Sequence, residues 1–134
     1  MEYTENYHLP QWEPTDRVLR EDFNEAMENI EEGLSAKCEL YFGSYTGTGE
    51  HGPENPNTLT FDFAPRVVIL FGYATNPGDH MIMIRPYTDA KSYDGNYTNC
   101  TVTWLEDGVQ WYNSYYESTQ FNRLSRTYYY IAVK

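Results

Sequence analysis

Apolar residues recur with two different periods along this 134-residue chain, and the change falls near residue 35. Upstream, Leu19, Phe23, Ala26, Met27, Ile30 and Leu34 follow one another at steps of three and four, the spacing of a single stripe on an α-helix. Downstream, short runs of β-branched and aromatic residues are separated by Gly, Pro, Asn and Asp, the pattern of strands and turns. Strands are expected at about 37–45, 58–63, 66–73, 80–85, 99–105, 109–113 and 127–133. Residues 1–14 mix Tyr3, Tyr7, Leu9 and Trp12 with Pro10 and Pro14 and read as an extended arm. The predicted class is mainly β: an antiparallel β-sandwich preceded by an N-terminal extended arm and one amphipathic α-helix. Residues 1–34 form the arm and helix, and residues 35–134 form the sandwich.

Local signals sharpen several of these elements. Thr15 or Asp16 can cap a helix that begins near Arg17, Glu21 and Asp22 complement the positive end of its dipole, and Gly33 ends it. Glu21, Glu25, Glu28 and Glu32 repel one another at spacings of three and four, which weakens the isolated helix by roughly a few tenths of a kcal/mol per pair. The helix therefore needs a partner, either the β-domain of the same chain or copies of itself packed along a heptad-like seam. Asp107-Gly108 predicts a tight hairpin in which Glu106 faces Val109 and Trp104 lies opposite Trp111. The run Tyr128-Tyr129-Tyr130-Ile131-Ala132-Val133 forms strands so strongly that it must be held inside a sheet or a subunit contact.

Charge narrows the partners. Twenty acidic and nine basic residues give a net charge of −11, which repels phosphate backbones and anionic lipid and argues against nucleic acid as a ligand. Residues 1–32 carry ten of the acids against Arg17 and Arg20 alone. Met1-Glu2-Tyr3-Thr4-Glu5 lacks the basic and apolar character of a secretory signal, and Val67–Phe71 is too short to cross a bilayer. Cys38 and Cys100 are spaced for neither a redox pair nor a zinc knuckle and are expected as reduced, mostly buried thiols in separate strands, with a single disulfide between them as the alternative. The sequons at Asn96 and Asn99 carry no weight without export.

The chemistry-bearing residues give no catalytic pattern, and no catalytic residue, cofactor or metal is assigned. His8, His51 and His80 lack mechanistic spacing. Asp79-His80 is the one pair on which a small hydrolase could be imagined. Gly43-Ser44-Tyr45-Thr46-Gly47-Thr48-Gly49 lacks the lysine and the following helix of a phosphate loop. Aromatic residues are the stronger signal, because fourteen tyrosines and three tryptophans exceed what a core of this size holds with every polar tip satisfied. Tyr112, Tyr115 and Tyr116, adjoining Trp111, Asn113, Ser114 and Gln120, form a candidate surface for a sugar ring or a protein partner.

Several segments taken together carry a likeness. Asn6-Tyr7-His8-Leu9-Pro10-Gln11-Trp12-Glu13 leads through Asp16 into Asp22-Phe23-Asn24. The glycine-rich segment 43–49 leads to Asn55-Pro56-Asn57-Thr58-Leu59-Thr60-Phe61-Asp62-Phe63-Ala64-Pro65-Arg66-Val67-Val68. The end passes through Gln120-Phe121-Asn122 to Thr127–Val133. So arranged, the chain resembles small tail proteins of bacteriophages and prophages, of the kind that close a tail fibre or tail tip. The resemblance implies a non-enzymatic homotrimer in the virion, made in the cytoplasm of the bacterial host. Met1–Leu34 would attach to other tail or baseplate proteins, and Ser35–Lys134 would face the host, with a surface glycan as a possible ligand. The lack of a long shaft suits a short tip or adaptor. A monomeric carbohydrate-binding module is the competing expectation.

Overall fold

The computed structural model describes residues 1–72 and 78–134. The chain divides into two compact units, Met1–Cys38 and Glu39–Lys134.

In the first unit, β1 (Glu2–Tyr3) and β2 (Pro10–Gln11) pair antiparallel and are followed by α1 (Arg20–Ser35). The expected extended arm is thus a hairpin, closed by hydrogen bonds from Thr4 N to Leu9 O at 2.8 Å and from Leu9 N to Thr4 Oγ1 at 2.9 Å. It lies on its own helix: Asn29 Nδ2 donates to His8 O at 3.2 Å, and a Cβ on Gly33 would collide with the Tyr7 ring. Gly33 therefore does not end α1. It sits in the last turn because only a residue without a side chain leaves room for Tyr7.

The N-terminal signal was also misplaced. α1 starts at Arg20 with Leu19 as its cap residue and no side-chain cap bond. The Asp16 carboxylate instead accepts from Glu13 N at 2.9 Å, closing a turn ahead of the helix. That bond is the largest influence holding its carboxyl below the ordinary range.

The second unit is one eight-stranded antiparallel sheet: β3 (Leu40–Thr46), β4 (Asn57–Thr60), β5 (Val67–Phe71), β6 (His80–Ile84), β7 (Asp89–Tyr93), β8 (Tyr97–Leu105), β9 (Gly108–Tyr112) and β10 (Thr127–Val133). The spatial order is β3-β10-β5-β6-β7-β8-β9-β4. The final strand is held on both edges, by β3 and by β5, as its composition requires. The expected strand 66–73 and turn 76–79 reach Tyr73, Asn76 and Pro77, which lie outside the described residues. β7, polar and short, is an addition to the expected strands. The turn expected at Asp94-Gly95-Asn96 joins it to β8, with Tyr93 opposite Tyr97.

The sheet curls into a sandwich-like all-β fold. β6 and β7 pair through only two residues each, His80 with Tyr93 and Met81 with Ser92, so the sheet can fold over there. Tyr45 of β3 then reaches Trp111 of β9, ring centroids 5.9 Å apart, although these strands stand far apart in the pairing order. The inner face carries Val68, Leu70, Met81, Met83, Val102, Val109, Trp111, Tyr128 and Ala132, all fully buried. The thiols differ from expectation, since Cys38 is exposed ahead of β3 and only Cys100, in β8, is buried.

The Asp107-Gly108 hairpin forms in a different register. Trp104 faces Val109, Val102 faces Trp111 and Leu105 faces Gly108, so the turn pair is Glu106-Asp107 and the two tryptophans are diagonal neighbours. Gly108 does not adopt positive φ. It is required because a Cβ there would run into the Leu59 carbonyl of β4. Gly108→Ala is accordingly expected to lower the urea midpoint by the equivalent of about 2–3 kcal/mol with an unchanged m-value.

Candidate functional site

The segment between β9 and β10, residues 113–126, has no ladder of its own, yet Asn113, Thr119, Gln120, Phe121 and Asn122 are buried. Buried backbone groups need partners, and side-chain amides supply them. Gln120 Oε1 accepts from Gly52 N at 3.0 Å and from Asn113 N at 2.9 Å. Its Nε2 donates to Asn55 O at 2.8 Å and to Asn57 Oδ1 at 3.0 Å. Its carbonyl oxygen accepts from Trp111 Nε1 at 2.8 Å. Asn122 is placed the same way, with Oδ1 accepting from Thr48 N at 3.0 Å and Nδ2 donating to Glu50 O at 2.9 Å. Two loops, 47–56 and 113–126, are therefore stitched together by amides whose hydrogen-bonding capacity is spent.

This stitching shapes an open cleft of about 440 Å³, lined by Tyr45, Thr46, Thr48, Glu50, Glu54, Asn55, Pro56, Asn57, Thr58, Trp111 and Asn122. The Asn57 and Asn122 amides in it are already committed, so the hydroxyls of Thr46, Thr48 and Thr58 and the carboxylates of Glu50 and Glu54 are the groups that could meet a polyhydroxylated ligand. Sequence reading missed the cleft. Its only forewarning was the density of Thr, Asn and Glu in 46–58, which also describes an ordinary loop.

The tyrosines singled out from sequence are placed differently. Asn113 Oδ1 accepts from Tyr115 N at 2.8 Å and from Tyr116 N at 3.2 Å. That turn presents Tyr115 and Tyr116 to solvent, 71% and 63% exposed. Tyr112 is half-buried on the other side of β9 from Trp111, opposite Thr101. The amides expected beside them, Asn113 and Gln120, are buried and committed, and so is Trp111. Only Ser114 remains as an exposed polar neighbour from that group.

On α1 the predicted stripe divides. Leu19, Phe23, Met27, Ile30 and Leu34 are exposed, while Ala26 is buried. At 100° per residue Ala26 falls at the edge nearest Asn29 and Gly33, the side on which the arm lies, about a sixth of a turn from the centre of the exposed stripe.

His80 is half-buried against aromatics, stacked on Tyr93 at 5.3 Å and edge-on to Tyr97 at 6.4 Å. Its Nδ1 lies 2.9 Å from Gly78 O. Burial, with Asp94 adding to it, raises the Asp79 carboxyl above its usual range. Among the described residues there is no group of three His, Cys, Asp or Glu side chains that could hold a metal ion, and no helix is long and apolar enough to cross a membrane. No family model matches the chain, nor does a curated protein or a solved structure.

Removing the Gln120 carboxamide leaves buried donors and acceptors without partners, each costing about 1–3 kcal/mol. Gln120→Leu is therefore expected to destabilise the second unit by at least about 3 kcal/mol in chemical unfolding. Gln120→Glu would set a carboxylate against Asn55 O, and burial would raise its folded pKa above the unfolded value. The variant should accordingly be most stable below the ordinary glutamate range and lose stability as pH rises. An acid-to-neutral stability profile that matches the wild type would reject this reading.

Burial also holds the Tyr45 hydroxyl, which donates to Phe121 O at 2.7 Å, well above its usual pKa of 10.0. In the unfolded chain it would ionise first, so its stabilising contribution is complete below pH 10 and is lost as pH rises beyond that. Absorbance of tyrosinate should show a late step that coincides with alkaline unfolding and is smaller in Tyr45→Phe by the amplitude of one tyrosine.

Proposed function

We propose that the chain is a non-enzymatic structural component of a bacteriophage or prophage tail. In this reading it is a homotrimeric tail-tip or fibre piece that attaches to neighbouring tail or baseplate proteins through its first unit. Its β-domain faces the host surface, where a glycan is the ligand. It resides in the virion and, before assembly, in the host cytoplasm. The supporting observation is α1: one side carries the arm, and Leu19, Phe23, Met27, Ile30 and Leu34, at heptad-like steps, remain exposed. Burying a side chain of this kind yields about 1.5–3 kcal/mol, and helices of this pattern obtain it from one another. A trimer packed along this stripe would take it out of water.

A monomeric carbohydrate-binding module is the second reading, favoured by the cleft between Thr46 and Asn122. Sedimentation equilibrium discriminates the two. The first reading expects a trimeric mass at micromolar concentration, lost on Phe23→Glu with Met27→Glu, whereas a strict monomer would overturn it. On a glycan array, a signal abolished by Tyr115→Ala with Tyr116→Ala places the ligand on the exposed turn. A signal abolished instead by Glu54→Ala places it in the cleft.

A further inference from the structure

Strand pairing aligns the outward residues of half the sheet into three rows. Leu40, Val133, Val67 and Ile84 form the first; Phe42, Ile131, Ile69 and Ile82 the second; Ser44, Tyr129, Phe71 and His80 the third. Ten of these twelve residues are aliphatic or aromatic, and none bears a formal charge with His80 neutral. Five stand well into solvent: Phe42 at 69%, Leu40 at 56%, Tyr129 at 53%, Ile82 at 47% and Ile84 at 44%.

The rest of the same outer face behaves otherwise. Across β7, β8, β9 and β4 it mixes Tyr93, Tyr97, Leu105 and Tyr112 with a polar majority, Asp89, Lys91, Asn99, Thr101, Thr103, Gln110 and Thr58, and Gln110 Nε2 donates to Thr58 Oγ1 at 3.1 Å. Antiparallel sheets with one wet face show that polar pattern. The apolar half, by contrast, has the pattern of a strand group buried on both sides.

We propose that the outer face of β3, β10, β5 and β6 is a self-association surface, covered by the same face of another copy of this chain. It is distinct from the α1 stripe. Charge selects this occupant. A basic partner would find no carboxylate on the three rows, and anionic lipid would find no cation. A copy of a chain carrying −11 needs a face where like charges do not meet, and this face provides one. Size agrees as well. Four strands about 4.8 Å apart, with outward residues about 6.8 Å apart along each, expose apolar surface on the order of several hundred Å². The footprint, about 400 Å², is as large as the largest apolar patch of an ordinary monomer and about half of the roughly 800 Å² per partner of a stable interface, the remainder falling to its rim. Two such sheets would pack about 10 Å apart.

The test uses the full chain. Sedimentation velocity is run on the wild type, on Phe42→Glu with Ile82→Glu, on the milder Phe42→Thr with Ile82→Thr, and on the helix variant Phe23→Glu with Met27→Glu. Near-ultraviolet circular dichroism serves as the control for folding. The helix variant should still associate with concentration, and either sheet pair added to it should weaken that association by about 30-fold or more. A helix variant that stays monomeric to about 100 µM, or masses insensitive to the sheet substitutions, would overturn the proposal while leaving the helix reading intact. Ile82→Cys in a Cys38→Ser background should react with maleimide at low concentration and be protected at high concentration. Its being unreactive in the monomer would show the face covered by the chain itself, and flotation of the monomer with phosphatidylcholine vesicles would assign the face to lipid. Either result overturns the proposal.

Discussion

The carboxamide of Gln120 is the constraint on which the second unit depends. Its four bonds join residues 52, 55 and 57 to residue 113, and its backbone carbonyl holds Trp111 by the indole nitrogen. Without it, two loops would meet as unsatisfied peptide groups, a cost that hydrophobic burial alone would not offset. With it, Phe121 turns inward to stack on Tyr128 at 5.6 Å, and Tyr128 stacks on Tyr45 at 5.4 Å. The aromatic column that closes the curled sheet therefore stands on a polar foundation. Phe121 adopts positive φ, 59°, an uncommon conformation for a residue of this type, in the chain segment those bonds hold.

The loop amides are thereby satisfied, although His51 Nδ1 is buried beside them with no hydrogen-bond partner among the described residues, and two apolar surfaces are left exposed. One is the stripe on α1, and the other is the outer face of half the sheet. Each belongs to its own unit, and each is the kind of surface that water penalises until another molecule covers it. A chain so acidic resists indiscriminate association through its charge, so uncharged faces on it are selective openings. The proposal of an assembling tail component rests on the α1 stripe, and the sheet face is a separate proposal. The cleft and the exposed Tyr115-Tyr116 turn are the two places at which the proposed ligand binding is tested.

How much was legible in sequence follows from distance along the chain. Periodicity exposed α1 and its stripe, and β-branched and aromatic runs exposed β3, β5, β6, β8, β9 and β10. Short-range signals were less dependable when a tertiary neighbour competed for the same residue. Gly33 looked like a helix stop and is a seat for Tyr7. Asp16 looked like a cap and closes the turn before it. Gly108 looked like a positive-φ turn residue and is instead a gap for the Leu59 carbonyl. β7, with Lys91 and Asp89 on its outer side, carries too few apolar residues to announce itself. The site was least legible, because Asn113 and Gln120 appear beside tyrosines as available amides although their bonds are already taken.

By itself the sequence determined the mainly β class, the amphipathic helix before it and the enclosure of the final strand, since each follows from which side of a local element must avoid water. Only the tertiary structure decided the strand order, the hairpin register, the burial of Gln120 and the exposure of Phe42 and Ile82. These depend on partners tens of residues away, and a polar side chain reads the same in sequence whether its hydrogen bonds go to water or to a distant backbone.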